Sequence, residues 1–93
     1  MQQAYYDVAI IGAGVSGCAI ARELSRLDVR TCVIEAEDDV CCGTSRANSA
    51  IVHAGFDAQP GTFMARLNVE GTSLMPDLCQ ELDVDFSAIG SLV

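Results

Sequence analysis

The chain has 93 residues, with 13 Asp and Glu against 5 Lys and Arg and a formal net charge of −8. That length holds one small domain at most. An acidic balance of this size argues against nucleic acid and against an anionic membrane surface as partners, because both need basic patches.

The acids form no tail. They gather at Glu35, Glu37, Asp38 and Asp39 and again at Asp77, Glu81, Asp83 and Asp85, which reads as solvated surface. Five cysteines, Cys18, Cys32, Cys41, Cys42 and Cys79, lack zinc-ligand spacing, so no metal site is expected. Cys18 and Cys32 fall inside a predicted helix and strand and read as small buried hydrophobes. The adjacent Cys41-Cys42 pair reads as a structural loop feature, with redox activity as the alternative. Without a secretory disulfide framework, a reducing compartment is the default.

After a short lead-in from Met1 to Tyr6, Val8-Ala9-Ile10-Ile11 reads as a strand running into Gly12-Ala13-Gly14-Val15-Ser16-Gly17. A helix follows from about Val15 to Leu27, with Ala19, Ile20, Leu24 and Leu27 as its apolar stripe. A second strand, from about Arg30 to Ile34, is expected to lie parallel to the first and to be buried on both faces. In this strand-turn-helix setting, Gly12 makes the tight turn, Gly14 admits a pyrophosphate to the backbone, and Gly17 lets the helix pack closely. The helix N-terminus then offers unpaired N–H groups and positive dipole to the phosphates. Glu35, about 20 residues past the glycines, is placed to accept hydrogen bonds from an adenosine ribose. The stretch thus predicts an adenine dinucleotide, and Glu35 suits either FAD or NAD. Val15-Ser16-Gly17-Cys18 also imitates a lipoprotein cleavage site, but no Lys or Arg precedes the apolar run and Asp7 stands where positive charge belongs. The run is too short and too rich in glycine to span a membrane.

From Ala36 to Ser49 the chain is acidic, then small and polar, with Gly43, Thr44, Ser45, Asn48 and Ser49. This loop is either a second line of phosphate contacts or an ordinary polar turn. Ala50 to Phe56 is apolar around the sole histidine, His53, which by itself reads more readily as a packed core group than as a catalyst. Gly55 marks a backbone that must stay small, for a turn or for approach to a flat ligand. A helix starts after Pro60-Gly61 with Thr62 as N-cap. Its apolar face is Phe63, Leu67, Gly71, Leu74, Leu78 and Leu82, flanked by Met64 and Met75 as core filler. Pro76 should kink or divide it. Two further strands, Asp83 to Phe86 and Ser87 to Val93, would open a second region. A dinucleotide enzyme needs two mononucleotide-binding halves plus a substrate region, so the chain is expected to be the N-terminal part of a longer protein.

With those residues on the page, the chain resembles the N-terminal part of the FAD-dependent oxidoreductases grouped with D-amino-acid oxidase, in the branch of glycerol 3-phosphate dehydrogenase and L-2-hydroxyglutarate oxidase. The motifs that carry the resemblance are Tyr6 to Gly17 with Glu35, then Gly43-Thr44-Ser45 with Asn48 to Gly55, then Pro60-Gly61. The first is shared by many flavin and NAD proteins, and the second is far more specific. The implied fold is α/β, the βαβ start of a Rossmann-like FAD-binding domain followed by a helix and the start of a second sheet. One partial FAD-binding domain is implied over residues 1–93, with the substrate-side region beginning near residue 83.

The resemblance implies FAD as cofactor, with Gly12, Ala13, Gly14, Val15, Ser16 and Gly17 at its pyrophosphate and Glu35 with Ala36 at its ribose. Thr44, Ser45, Asn48 and Ser49 would line the path toward the flavin. His53 would lie near the isoalloxazine ring, either taking the substrate hydroxyl proton while hydride passes to flavin or positioning the ring. Ala50 departs from the Lys usual in respiratory glycerol-phosphate enzymes, which tilts the reading toward an anaerobic-type dehydrogenase or a hydroxyacid oxidase. The implied partners are a small-molecule substrate and other subunits, in the cytoplasm or at the inner face of the membrane. No electron acceptor is implied, and 93 residues by themselves are expected to give no turnover. Against this stand an NAD-dependent dehydrogenase and a nucleotide-binding module without chemistry.

Overall fold

A computed structural model of the chain describes residues 3–90 and Leu92. It divides into two compact units, one up to Ser49 and one from Ala50 onward.

The first unit is the expected βαβ. Strand β1 (Val8–Ile11) pairs in parallel with β2 (Thr31–Ile34), in the register Val8 with Thr31 through Ile11 with Ile34, and helix α1 (Val15–Leu24) connects them. The sheet is closed at its lower end by Arg30 N–H donating to the Asp7 carboxylate at 2.8 Å and Asp7 N–H donating to the Arg30 carbonyl at 2.8 Å. At the upper end Gly12 N–H donates to the Ile34 carbonyl at 2.8 Å, which carries the pairing into the glycine turn.

Close packing of α1 rests on one residue. An ideal Cβ at Gly17 would lie 1.9 Å from the Gly12 carbonyl oxygen, far inside contact distance. Gly17 is accordingly buried, and Ala21 and Leu24, four and seven residues on, are partly covered. The face turned inward is therefore not the expected stripe: Ile20 is 51% and Leu27 60% exposed, and Ala19 is exposed too. Gly17 turns its face of α1 to the Gly12 carbonyl, and among these 93 residues Ala19, Ile20 and Leu27 of the stripe expected from hydropathy stay exposed. The helix also ends sooner than expected, with Ser25 as C-cap donating from its hydroxyl to the Arg22 carbonyl. With helix on one face only, β2 is not buried on both sides, and Val33 and Ile34 remain open. Cys18 is exposed, against expectation, and Cys32 is half-buried.

The second unit is built on helix α2 (Phe63–Glu81). Thr62 is its N-cap, accepting a hydrogen bond from Ala65 N–H at 3.2 Å. Pro76 lies inside one continuous helix instead of dividing it. Proline removes one donor to the preceding turn, and the remaining ladder carries the helix across the gap. The covered face is Ala65, Asn68, Thr72, Met75, Leu78 and Cys79, which keeps Leu78 and Met75 of the expected apolar side, whereas Phe63, Met64, Leu67, Leu74 and Leu82 are exposed. Within this unit Asn68 and Thr72 donate to the His53 carbonyl, and the Val69 side chain lies against Gly55. After Leu82 the described residues form no strand, contrary to the two expected; Ser91 and Val93, in the second of these, lie outside the described residues. An isolated strand has no neighbour to satisfy its N–H and C=O groups.

Two glycines should respond in opposite directions. Gly17→Ala forces a shift against backbone and is expected to destabilise by about 1–3 kcal/mol. Gly71→Ala meets open space in mid-helix and should stabilise α2 by about 0.5–1 kcal/mol. Urea midpoints of the two variants check both signs.

Candidate functional site

The first unit gathers several of the sequence-predicted residues around one cleft of about 390 Å³, lined by Gly14, Glu35, Ala36, Glu37, Cys42, Gly43, Thr44 and Ser45. It lies where the chain leaves β1 and β2 for the glycine turn and the loop after β2. This is the carboxyl end of a parallel sheet, where ligands of such sheets bind.

Its floor is the glycine turn. Gly12 has φ +103°, a conformation that side chains rarely adopt. Ala13 is buried, and its N–H donates to Glu35 Oε1 at 2.8 Å. The other carboxylate oxygen, Oε2, accepts from Glu37 N–H at 3.0 Å. These hydrogen bonds, Glu37 first and Ala13 second, hold the Glu35 carboxyl below its ordinary pKa. A carboxylate has about four lone-pair sites, and with Ala36 N–H also contributing a hydrogen bond, Glu35 keeps acceptor capacity for one further donor.

The wall opposite is the loop after β2. Ser45 Oγ accepts from Val15 N–H at 2.9 Å, at the start of α1. Its own O–H is left to donate outward, toward an anion at the helix N-terminus. A Cβ on Gly14 would come 3.1 Å from that hydroxyl, so Gly14 keeps the approach open. Ser16 and Gly17 supply the next N–H groups of the first turn, which have no acceptor inside the helix. Gly17 is buried by its contact with Gly12, and Ser16 is exposed. A cradle of N–H and O–H donors beside a carboxylate with acceptor capacity left over fits the adenosine diphosphate half of FAD.

Not every expected residue lines the cleft. Asn48 turns its amide back on the loop, donating to the carbonyls of Thr44 at 2.9 Å and Ser45 at 3.1 Å, so it shapes the wall. Ser49 is exposed at the end of the unit. His53 belongs to the second unit, with its imidazole exposed and Nδ1 3.6 Å from Asp57 Oδ2. Glu37, Cys42 and Gly43 also line the cleft, although the sequence alone assigns them no contact with the cofactor and marks Gly43 only within the Gly43-Thr44-Ser45 motif. Cys41, at φ 58°, donates its N–H to the Ala13 carbonyl at 2.9 Å and so brings Cys42 to the rim. Only the left-handed turn at Cys41 does this, and no residue type there signals it. Among the described residues no group of three or more His, Cys, Asp or Glu could hold a metal ion, and no helix is long and apolar enough to cross a membrane.

Because the folded pKa of Glu35 is lowered, its contribution to the turn is fully present above the ordinary value of 4.5 and is lost as pH falls through the lowered one. Amide shifts of Ala13 and Glu37 should therefore titrate together with a midpoint below 4.5. Glu35→Gln should abolish that titration.

Comparison with known proteins places the chain among FAD-dependent oxidoreductases. The chain is 56% identical over 88 residues to a glycerol 3-phosphate dehydrogenase of Caloramator mitchellensis, covering 95% of this chain and 18% of the relative. It is 34% identical over 90 residues to a mitochondrial L-2-hydroxyglutarate dehydrogenase of Dictyostelium discoideum, covering 95% of this chain and 20% of the relative. A glycerol 3-phosphate oxidase of Mycoplasma pneumoniae is 40% identical over 68 residues, covering 73% and 18%. The chain thus spans about a fifth of the length of the curated relatives it matches. The family described as FAD dependent oxidoreductase matches residues 7–93, and the chain belongs to that family.

Proposed function

We propose that the chain is the FAD-binding portion of an enzyme that transfers hydride from a secondary hydroxyl, of glycerol 3-phosphate or a 2-hydroxy acid, to flavin. The observation that carries the reading is the single cleft in which Glu35, the glycine turn and Ser45 present acceptors and donors in the order ribose, then phosphate. The family is FAD-dependent, so FAD takes precedence over NAD as the occupant.

In this reading, Glu35 and Ala36 hold the ribose. The N–H groups of Val15 and Ser16 and the Ser45 hydroxyl hold the pyrophosphate, with Gly12, Ala13, Gly14 and Gly17 keeping the backbone close. Thr44 extends the line of contacts, and Asn48 and Ser49 set the course of the loop toward the flavin. Bound FAD supplies the hydride acceptor. His53 takes the proton of the substrate hydroxyl as hydride leaves the same carbon, the role a neutral imidazole fills near physiological pH. The greater identity to a glycerol 3-phosphate dehydrogenase makes that alcohol the first substrate to try. A small-molecule substrate, a cytoplasmic or peripheral inner-membrane location and association with other subunits complete the reading.

The full-length protein, purified and supplied with FAD, should show flavin absorption that bleaches under anaerobic glycerol 3-phosphate, with L-2-hydroxyglutarate as the comparison. Absence of flavin bands would overturn the reading. His53→Asn should slow bleaching by about 10²–10⁴-fold while leaving the flavin bands in place.

A further inference from the structure

The segment that carries His53 is held to α2 through its backbone. The His53 carbonyl accepts two hydrogen bonds, from Asn68 Nδ2 at 2.8 Å and from Thr72 Oγ1 at 2.5 Å. Asn68 and Thr72 are four residues apart, on one face of the helix. Together they occupy both lone pairs of that oxygen. Two residues on, Gly55 has φ +112°, and a Cβ there would stand 2.7 Å from Val69 Cγ2, so its backbone rests against the same turn of α2.

The imidazole itself is left outside this tether. Its side chain is 67% exposed, and its Nδ1 faces the Asp57 carboxylate at 3.6 Å. A carboxylate on that side favours the proton on Nδ1, which leaves the Nε2 lone pair open; without such a partner, neutral histidine prefers the proton on Nε2. Backbone fixed by a helix, ring exposed and one nitrogen facing an anion are what a proton acceptor requires.

We propose that Asn68 and Thr72 are positioning residues for His53, and that Asp57 holds the ring proton on Nδ1 so that Nε2 meets the substrate hydroxyl. This rests on the reading of His53 as the proton acceptor given above.

His53 is the one histidine of these 93 residues, and in the full-length protein labelled with ¹⁵N-histidine its ring signals are those that His53→Asn removes. At alkaline pH, Nδ1 should read as the protonated nitrogen and Nε2 as the bare one, and Asp57→Ala should reverse the assignment. A bare Nδ1 before substitution overturns the role of Asp57. Thr72→Val and Asn68→Ala should each move the ¹³C resonance of the His53 carbonyl, and Thr72→Ser should leave it in place. In the flavin-loaded full-length protein, Thr72→Val should lower kcat by about 10- to 100-fold at unchanged KM, with Thr72→Ser restoring it. A Thr72→Val variant that matches the unsubstituted protein in both carbonyl shift and kcat overturns the tether. If His53→Asn leaves kcat intact while the ring and carbonyl signals behave as described, the reading of His53 as proton acceptor fails and the geometry stands.

Discussion

Gly17 sits so near the Gly12 carbonyl that a methyl group in place of its hydrogen would come within 1.9 Å of the oxygen. That approach fixes where α1 leaves the turn and how it is rotated on the sheet. With the helix so placed, its N-terminus opens beside the ends of β1 and β2. Pairing of Gly12 N–H with the Ile34 carbonyl then holds Glu35, the next residue, beside the turn. The close approach of α1 to the turn rests on a contact that only a residue without a side chain allows, while the register rests on the backbone pairing of β1 with β2.

The groups that close the cleft are the same groups that would bind. Glu35 braces the buried Ala13 N–H and the loop at Glu37, and Ser45 caps the first free N–H of α1. Both retain capacity for a ligand after making those bonds, one as acceptor and one as donor. A protein with net charge −8 must attract a pyrophosphate against its own field. Glu35 and Glu37 line the cleft itself, so the donors that would face an anion there are the N–H groups at the start of α1 and the Ser45 hydroxyl, and only charges beyond about 8 Å are largely screened at physiological ionic strength.

The second unit obeys a different rule. Its helix turns Asn68, Thr72 and the Val69 side chain to the segment that carries His53, and leaves Phe63, Leu67 and Leu74 exposed. The His53 carbonyl has both lone pairs satisfied by side chains of the helix.

What the sequence determined by itself is the local chemistry: a strand, a glycine turn, a helix and a parallel strand closed by an acid, with Thr62 starting the second helix. Each follows from spacing and from the conformational limits of single residues, and these act over a few positions. The resemblance carried by Gly43 to Gly55 added the choice of FAD. Tertiary structure decided which helical residues meet the rest of each unit, Gly17 against the turn and Asn68 and Thr72 against the His53 carbonyl, while Ile20, Leu27, Phe63 and Leu67 stay exposed among these 93 residues. It also decided that Pro76 leaves α2 whole, and that the left-handed turn at Cys41 brings Cys42 to the cleft. Such outcomes depend on pairs of atoms brought together from distant positions, and the order of residues encodes no distance between them.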